Sequence, residues 1–205
     1  MGIGTSIPIP FSISKIRNNN MSCRTLTSIG KDSCLSNKGG LYTTIWATNR
    51  SKLAISKQMT VGSDPEETGY ATLSWVSPAT AADMVTYSFR KQSSGLTSEG
   101  TFDDANGVAF FTNNLALVFA RQDVTKRMAI QALALQEDLA VIVKDANGEM
   151  YFLGMDDSVT TTAAGAATGT AATDANQYTI TLTDISNELP YFVSETTLNT
   201  LLGNN

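Results

Sequence analysis

Three carboxylate doublets are the most chemically suggestive spacing in the chain: Glu66-Glu67, Asp103-Asp104 and Asp156-Asp157. Two carboxylates can share acid and base roles when both face one substrate atom. Adjacent strand residues point to opposite faces, however, so each doublet is expected in a solvated turn and not as a cooperating pair. The 205 residues include no histidine. Its absence removes the commonest general base and metal ligand, and with them Ser-His-Asp and Cys-His nucleophile systems and His-ligated zinc. Cys23 and Cys34 are too few for a four-ligand metal site or a disulfide scaffold, and the sequence leaves both a bridge and two thiols open. Gly2-Ile3-Gly4 lacks a preceding strand and a following helix, and Gly39-Gly40 lacks the Lys-Ser/Thr of a phosphate loop. Asp-Ala-Asn-Gly occurs at 104–107 and 145–148, and residues 174–176 repeat three of its letters. The closing Glu of a calcium loop is missing, so turns are expected there. No catalytic residue, cofactor or metal ligand is assigned, and the expectation is that the protein is not an enzyme.

Charge is distributed unevenly. Residues 1–40 carry five basic side chains, Lys15, Arg17, Arg24, Lys31 and Lys38, against Asp32, a surplus of +4 that leaves −9 for the rest of a chain whose total is −5. No Lys or Arg follows Lys144. An acidic body is poorly suited to gripping phosphates, whereas a basic arm and an acidic body suit contacts between copies. No run approaches the ~18 apolar residues of a membrane span, so no membrane partner is expected.

These residues must be positioned by a mainly β framework. Residues 1–40, with Asn18-Asn19-Asn20 and no sustained period, read as an extended arm. Strand patterns follow at 41–47, 52–56, 70–76 and 84–90, with a polar loop over 58–69. Residues 107–120 read as two strands or one long one. Asp123 is placed to cap a helix over 123–136, in which Val124, Met128, Ala132 and Leu135 recur at helical spacing. The apolar run 139–144 and its partner 149–153 flank an Asn-Gly turn. Residues 160–173 (TTTAAGAATGTAAT) have little to bury and are expected as a flexible loop or a flat packing surface. Strands resume at 177–182 and 191–193, and Ser194 starts a short C-terminal helix or tail over 194–205. Trp46 and Trp75 are expected in the core or an interface.

The order GVAFFTNNLALVF, DVTKRMAIQALALQ, LAVIVKDANGEMYFLGMDD, AAGAATGTA and NQYTITLTDISNELPYFV, over residues 83–193, resembles virion structural proteins of tailed bacteriophages, in particular the tail tube family and related head-to-tail connector rings. The resemblance implies a β-sandwich or barrel over 41–193 with one flanking helix. It also implies six copies in a ring, rings stacked into a tube, an acidic lumen conducting double-stranded DNA without specific binding, and sheath, baseplate or terminator proteins as neighbours in the tail. Candidate contact residues are Lys15, Arg17, Arg24, Lys31 and Lys38 of the arm, Asp64, Glu66 and Glu67, Asp156 and Asp157, and Thr168, Gly169 and Thr170. A head-to-tail connector or tail-terminator ring is an alternative. So is a stand-alone β-sandwich binding module on a virion surface, although such modules display aromatics at loop tips, whereas Trp46, Trp75, Tyr151 and Tyr178 fall within strand patterns. A hydrolase built on the carboxylate doublets is a third.

Overall fold

The computed structural model describes residue 29, residues 37–61 and residues 66–204. The expected arm apart from residues 29 and 37–40, the two cysteines, Lys15, Arg17, Arg24, Lys31 and Asp64 lie outside the described residues. Contacts divide the chain into residues 1–35 and residues 36–205, and the second unit carries the fold.

That fold is mainly β, with two sheets and two helices. The strands are β1 (Leu41–Asn49), β2 (Leu53–Met59), β3 (Glu67–Trp75), β4 (Val85–Ser88), β5 (Gly95–Asp103), β6 (Val108–Ala120), β7 (Leu139–Asp145), β8 (Met150–Leu153), β9 (Thr160–Ala167), β10 (Gln177–Ser186) and β11 (Tyr191–Phe192). Helix α1 spans Val124–Ala134 and α2 spans Glu195–Leu202. One sheet has the order β2-β3-β11-β8-β7-β1-β4, and the other the order β5-β6-β10-β9.

The run LAVIV explains the layering. Its residues 139–143 are all buried because β7 is central and covered on both faces. Leu139, Val141 and Val143 enter one cluster with Ile45 of β1 and with Leu115, Leu117, Ile180 and Leu182 of the four-stranded sheet. Ala140 and Ile142 point the other way, into a second cluster with Leu73, Phe152, Leu198 and Leu201. Strand alternation thus feeds two cores from one strand. Each fully buried Leu, Ile or Phe contributes roughly 1.5–3 kcal/mol. Trp46 and Trp75 pack partly buried against the second cluster, and Trp75 Nε1 donates to the Leu201 carbonyl at 3.0 Å.

Both helix starts follow sequence signals. Asp123 accepts the Lys126 N–H at 2.8 Å, and Ser194 accepts the Thr197 N–H at 3.1 Å. Gly203, with φ +71°, closes α2 in the left-handed conformation that glycine adopts freely. The stripe of α1 that packs is not the one whose spacing marks the helix in the sequence. Ile130 and Leu133 face the core, while Val124, Met128 and Leu135 are exposed by 78%, 58% and 74%. The helix carries two apolar stripes, and the shorter one is buried.

Three further differences concern strands. Residues 160–167, expected as loop or surface, form β9, because β10 offers a complete ladder partner over Gln177–Thr183. The expected loop over 58–69 is shorter, since β2 runs to Met59 and β3 begins at Glu67. Residues 95–103, which carry no strand signal, form β5 along β6, a single 13-residue strand. The turn at 145–148 is tight as expected, but the positive φ (+106°) falls on Gly148 alone of the pair, while Asp145 Oδ1 accepts the N–H groups of Asn147, Gly148 and Glu149.

Candidate functional site: a polar sheet face with two open edges

The four-stranded sheet has one face on the core and one facing out. Asn113, Leu115, Leu117 and Phe119 of β6 and Ile180, Leu182 and Asp184 of β10 are buried. The alternate positions Thr112, Asn114 and Ala116 of β6 and Thr179 and Thr181 of β10 form the outer face, continued by Thr97, Glu99 and Thr101 of β5 and by Ala163 and Gly165 of β9. None of the four strands contains Lys or Arg. Thr, Asn, Ala and Gly share this face with Val108, Phe110, Val118 and Ile185, and Glu99 and Asp103 give it a negative sign.

Both borders of the sheet are open. Among the described residues β5 pairs with β6 alone and β9 with β10 alone, so each presents a row of backbone groups without a ladder partner there. The edges are staggered: β9 runs beside the Asn114–Ala120 half of β6 through β10, and β5 beside the Val108–Ala116 half. The strands alternate in direction, and an even number of them leaves β9 antiparallel to the β5 of a copy placed beside it.

The sheet is tied to its neighbour through a buried polar node. Asp184, 2% exposed, accepts from Asn113 Nδ2 at 2.9 Å and from the Gly154 N–H at 3.2 Å. Burial pushes its carboxyl above the usual range, those two bonds oppose the shift, and Asp156 and Asp157 reinforce it. Arg50 holds the far side of the same turn, donating to the Gly154 carbonyl at 2.8 Å and the Met155 carbonyl at 3.0 Å.

The expected contact residues do not form one cluster. The Lys38 backbone is fixed by Asn147, whose Oδ1 accepts its N–H at 2.8 Å and whose Nδ2 donates to its carbonyl at 3.1 Å. Glu66 is exposed and donates its N–H to Thr60 Oγ1 at 2.8 Å. Glu67 lies inside a four-residue group. Lys57 Nζ contacts Glu67 and Glu188 at 3.2 Å each, and the Tyr191 hydroxyl donates toward both carboxylates. Burial alone would lower the lysine, but its bonds to Tyr191, Glu188 and Glu67 outweigh that and keep it protonated; burial and the adjacent carboxylates keep Tyr191 neutral. The group clamps β2, β3 and the segment before β11 and offers no free base. Asp156 accepts the Asn187 N–H at 2.8 Å, and the exposed Asp157 accepts the Ser158 N–H at 2.7 Å. Thr168, Gly169 and Thr170 lie in the exposed loop after β9, where Asp174 accepts from Thr170 and Ala171 at 2.7 Å each.

The two members of each doublet are thus used separately, Glu67 in the Lys57–Tyr191 group and Asp103, Asp156 and Asp157 as acceptors of backbone N–H groups. Asp103 accepts the N–H groups of Ala105 and Asn106 at the tip of the β5–β6 hairpin, while Asp104 is exposed beside it. Among the described residues no group of three His, Cys, Asp or Glu side chains could hold a metal ion, and no helix is long and apolar enough to cross a membrane. Sequence reasoning missed β5 with Glu99, and it missed the basic side chains that gather at the far end of the sheet, because regional sums hid them under the acidic total. Comparison with protein-family models, with curated proteins and with solved structures finds no match.

Proposed function

We propose that this chain is a structural subunit of a tailed-phage virion, a tail tube protein whose copies close into hexameric rings and stack into a DNA-conducting tube. The observation that carries the reading is the four-stranded sheet: two staggered, antiparallel-compatible edges, unpaired among the described residues, flank an outer face without a basic side chain. Joining β9 of each subunit to β5 of the next turns two aggregation-prone edges into assembly contacts and closes the sheets into one barrel. Staggered edges suit such closure, because strands in a barrel tilt and their register shifts steadily around it. With the outer face turned to the lumen, Thr and Ala would line the channel together with Phe110, Val118 and Ile185, and Glu99 and Asp103 would repel phosphate and let DNA slide. The basic arm of residues 1–40 would supply further contacts to the acidic bodies of neighbouring subunits. Negative-stain electron microscopy of the purified full chain tests the proposal: rings or tubes with a central channel are expected, and a field of isolated particles refutes it.

A further inference from the structure

Charge in the described fold is polarised along the strands of the four-stranded sheet. At the end where β6 stops and β10 starts, Arg90, Arg121 and Lys126 border an open depression of ≈ 320 Å³ against Phe89 and Phe119. Lys91 and Arg127 adjoin them in sequence, and both are exposed. Lys126 engages Asp123 at 3.1 Å and the Ala120 carbonyl at 2.9 Å. The side chains of Arg90, Lys91, Arg121 and Arg127 have no hydrogen bond or ion pair among the described residues. Nearby Asp174 is occupied within its own loop. Gln92 (φ 60°) and Arg121 (φ 64°) are the two non-glycine residues with left-handed backbone among the described residues, and both belong to this end. Such backbone persists where its surroundings fix it, and here the Arg121 N–H donates to the Asn176 carbonyl at 2.7 Å.

The opposite end is acidic. Ser186 ends β10 beside Phe111, and there Asp156 is bonded to Asn187 with Asp157 exposed next to it. The β5–β6 hairpin projects past that point and carries Asp103 and Asp104 at its tip. Exposed apolar side chains accompany both ends: Val124 and Met128 at the basic one, Phe102 and Leu189 at the acidic one. From Gln177 to Ser186 the ends are separated by about 30 Å at the usual strand rise, about three screening lengths at 0.1 M salt, so neither neutralises the other within one subunit.

The geometry points to a head-to-tail contact between copies of this chain, in which the Arg90–Arg121–Arg127 end of one subunit docks on the Asp104–Asp157 end of the next. Two different patches meet, so the contact is heterologous and repeats without closing, along the strand direction and not across the sheet edges. A second copy fits this surface better than a free polyanion, because the complementary charge and the exposed apolar partners are both present on the same fold. Under the ring reading this is the contact between successive rings, and that placement rests on the reading; the contact itself needs only two copies.

Charge reversal tests it in full-length protein by sedimentation velocity at low and high salt, with electron microscopy. Lys91→Glu/Arg127→Glu cancels the charge of the basic end, and Asp104→Lys/Asp157→Lys cancels that of the acidic end; all four positions are exposed. Wild type is expected to associate and to dissociate as salt rises. Each double variant alone is expected to associate about 100-fold more weakly. An equimolar mixture of the two is expected to recover pairwise association, since the unaltered acidic end of the first meets the unaltered basic end of the second. Edge-to-edge rings that persist singly in the variants support the contact and leave the ring reading standing; salt-sensitive linear chains without rings support the contact while the ring reading fails. Variants that stack normally, a mixture that recovers nothing, a wild type that stays monomeric, or a monomer whose basic end instead binds heparin overturns it.

Discussion

The buried Asp184 carboxylate of β10 accepts the Gly154 N–H at 3.2 Å, so one side chain joins the four-stranded sheet to the turn that follows β8 in the other sheet. Its second oxygen takes the Asn113 amide at 2.9 Å. Asp184→Ala leaves the Gly154 N–H buried without a partner and Asn113 Nδ2 with Ser186 Oγ alone at 3.3 Å, and is expected to cost about 2 kcal/mol in urea unfolding. Burial holds the native carboxyl above the ordinary value of 3.8 despite those bonds. The native state therefore keeps a proton that the unfolded chain has released. Stability from this group is highest below the ordinary value and falls as pH rises through the native one. Asp184→Asn is expected to remove that slope, and a wild-type-to-variant difference that is independent of pH contradicts the assignment.

The Lys57 clamp titrates in the opposite sense. Its ammonium is raised above the ordinary 10.5 because bonds to Tyr191, Glu188 and Glu67 exceed the cost of burial. Its contribution is therefore complete below that value and is lost as pH rises through the native one. Lys57→Met removes the ammonium shared by Glu67, Glu188 and Tyr191 and, after solvent screening, is expected to cost about 1 kcal/mol at neutral pH. Thermal unfolding across alkaline pH checks this: the gap between wild type and variant should narrow, and a widening gap would reject the clamp.

Much of the framework was legible because periodicity reports burial directly. The all-apolar run at 139–143 identifies a strand covered on both faces, and Asp123 and Ser194 mark helix starts through their own cap bonds. Elements stabilised by a neighbour were not legible. β9 is Thr, Ala and Gly, and its pairing is dictated by β10; β5 is largely exposed and shows no apolar alternation. Helix α1 offered two apolar stripes, and one sequence cannot say which of them meets the core. The outer sheet face was invisible for a related reason, since small polar residues at alternate positions acquire meaning only when four strands lie side by side.

Removing residues 2–35 is expected to leave the described fold intact, because Lys38 is held by Asn147 and Leu41 starts β1. Assembly should weaken, since four of the five basic residues of the arm are lost. Unchanged circular dichroism with loss of large species on a sizing column is the expected result; normal assembly by the truncated chain shows that the arm is dispensable.

A basic lumen should retain DNA. Thr179→Lys/Thr181→Lys places positive charge on the outer face of β10 without touching the core positions Ile180 and Leu182. Assembled variant is expected to bind double-stranded DNA with an affinity that falls steeply with salt, while wild-type assemblies do not bind. Equal behaviour of the two in an electrophoretic shift assay means that this face does not line a channel.

Closure of β9 of one subunit onto β5 of the next is tested most directly by cysteine pairs on the shared outer phase, Thr97, Glu99 or Thr101 combined with Ala163, Gly165 or Ala167, in a background where Cys23 and Cys34 are serine. A disulfide needs Cβ atoms about 4 Å apart, so bonds form only across a true strand pair. Under mild oxidation at least one combination is expected to give a covalent ladder that ends at six 21.8 kDa subunits. A chain that stays monomeric under oxidation in every combination contradicts the account.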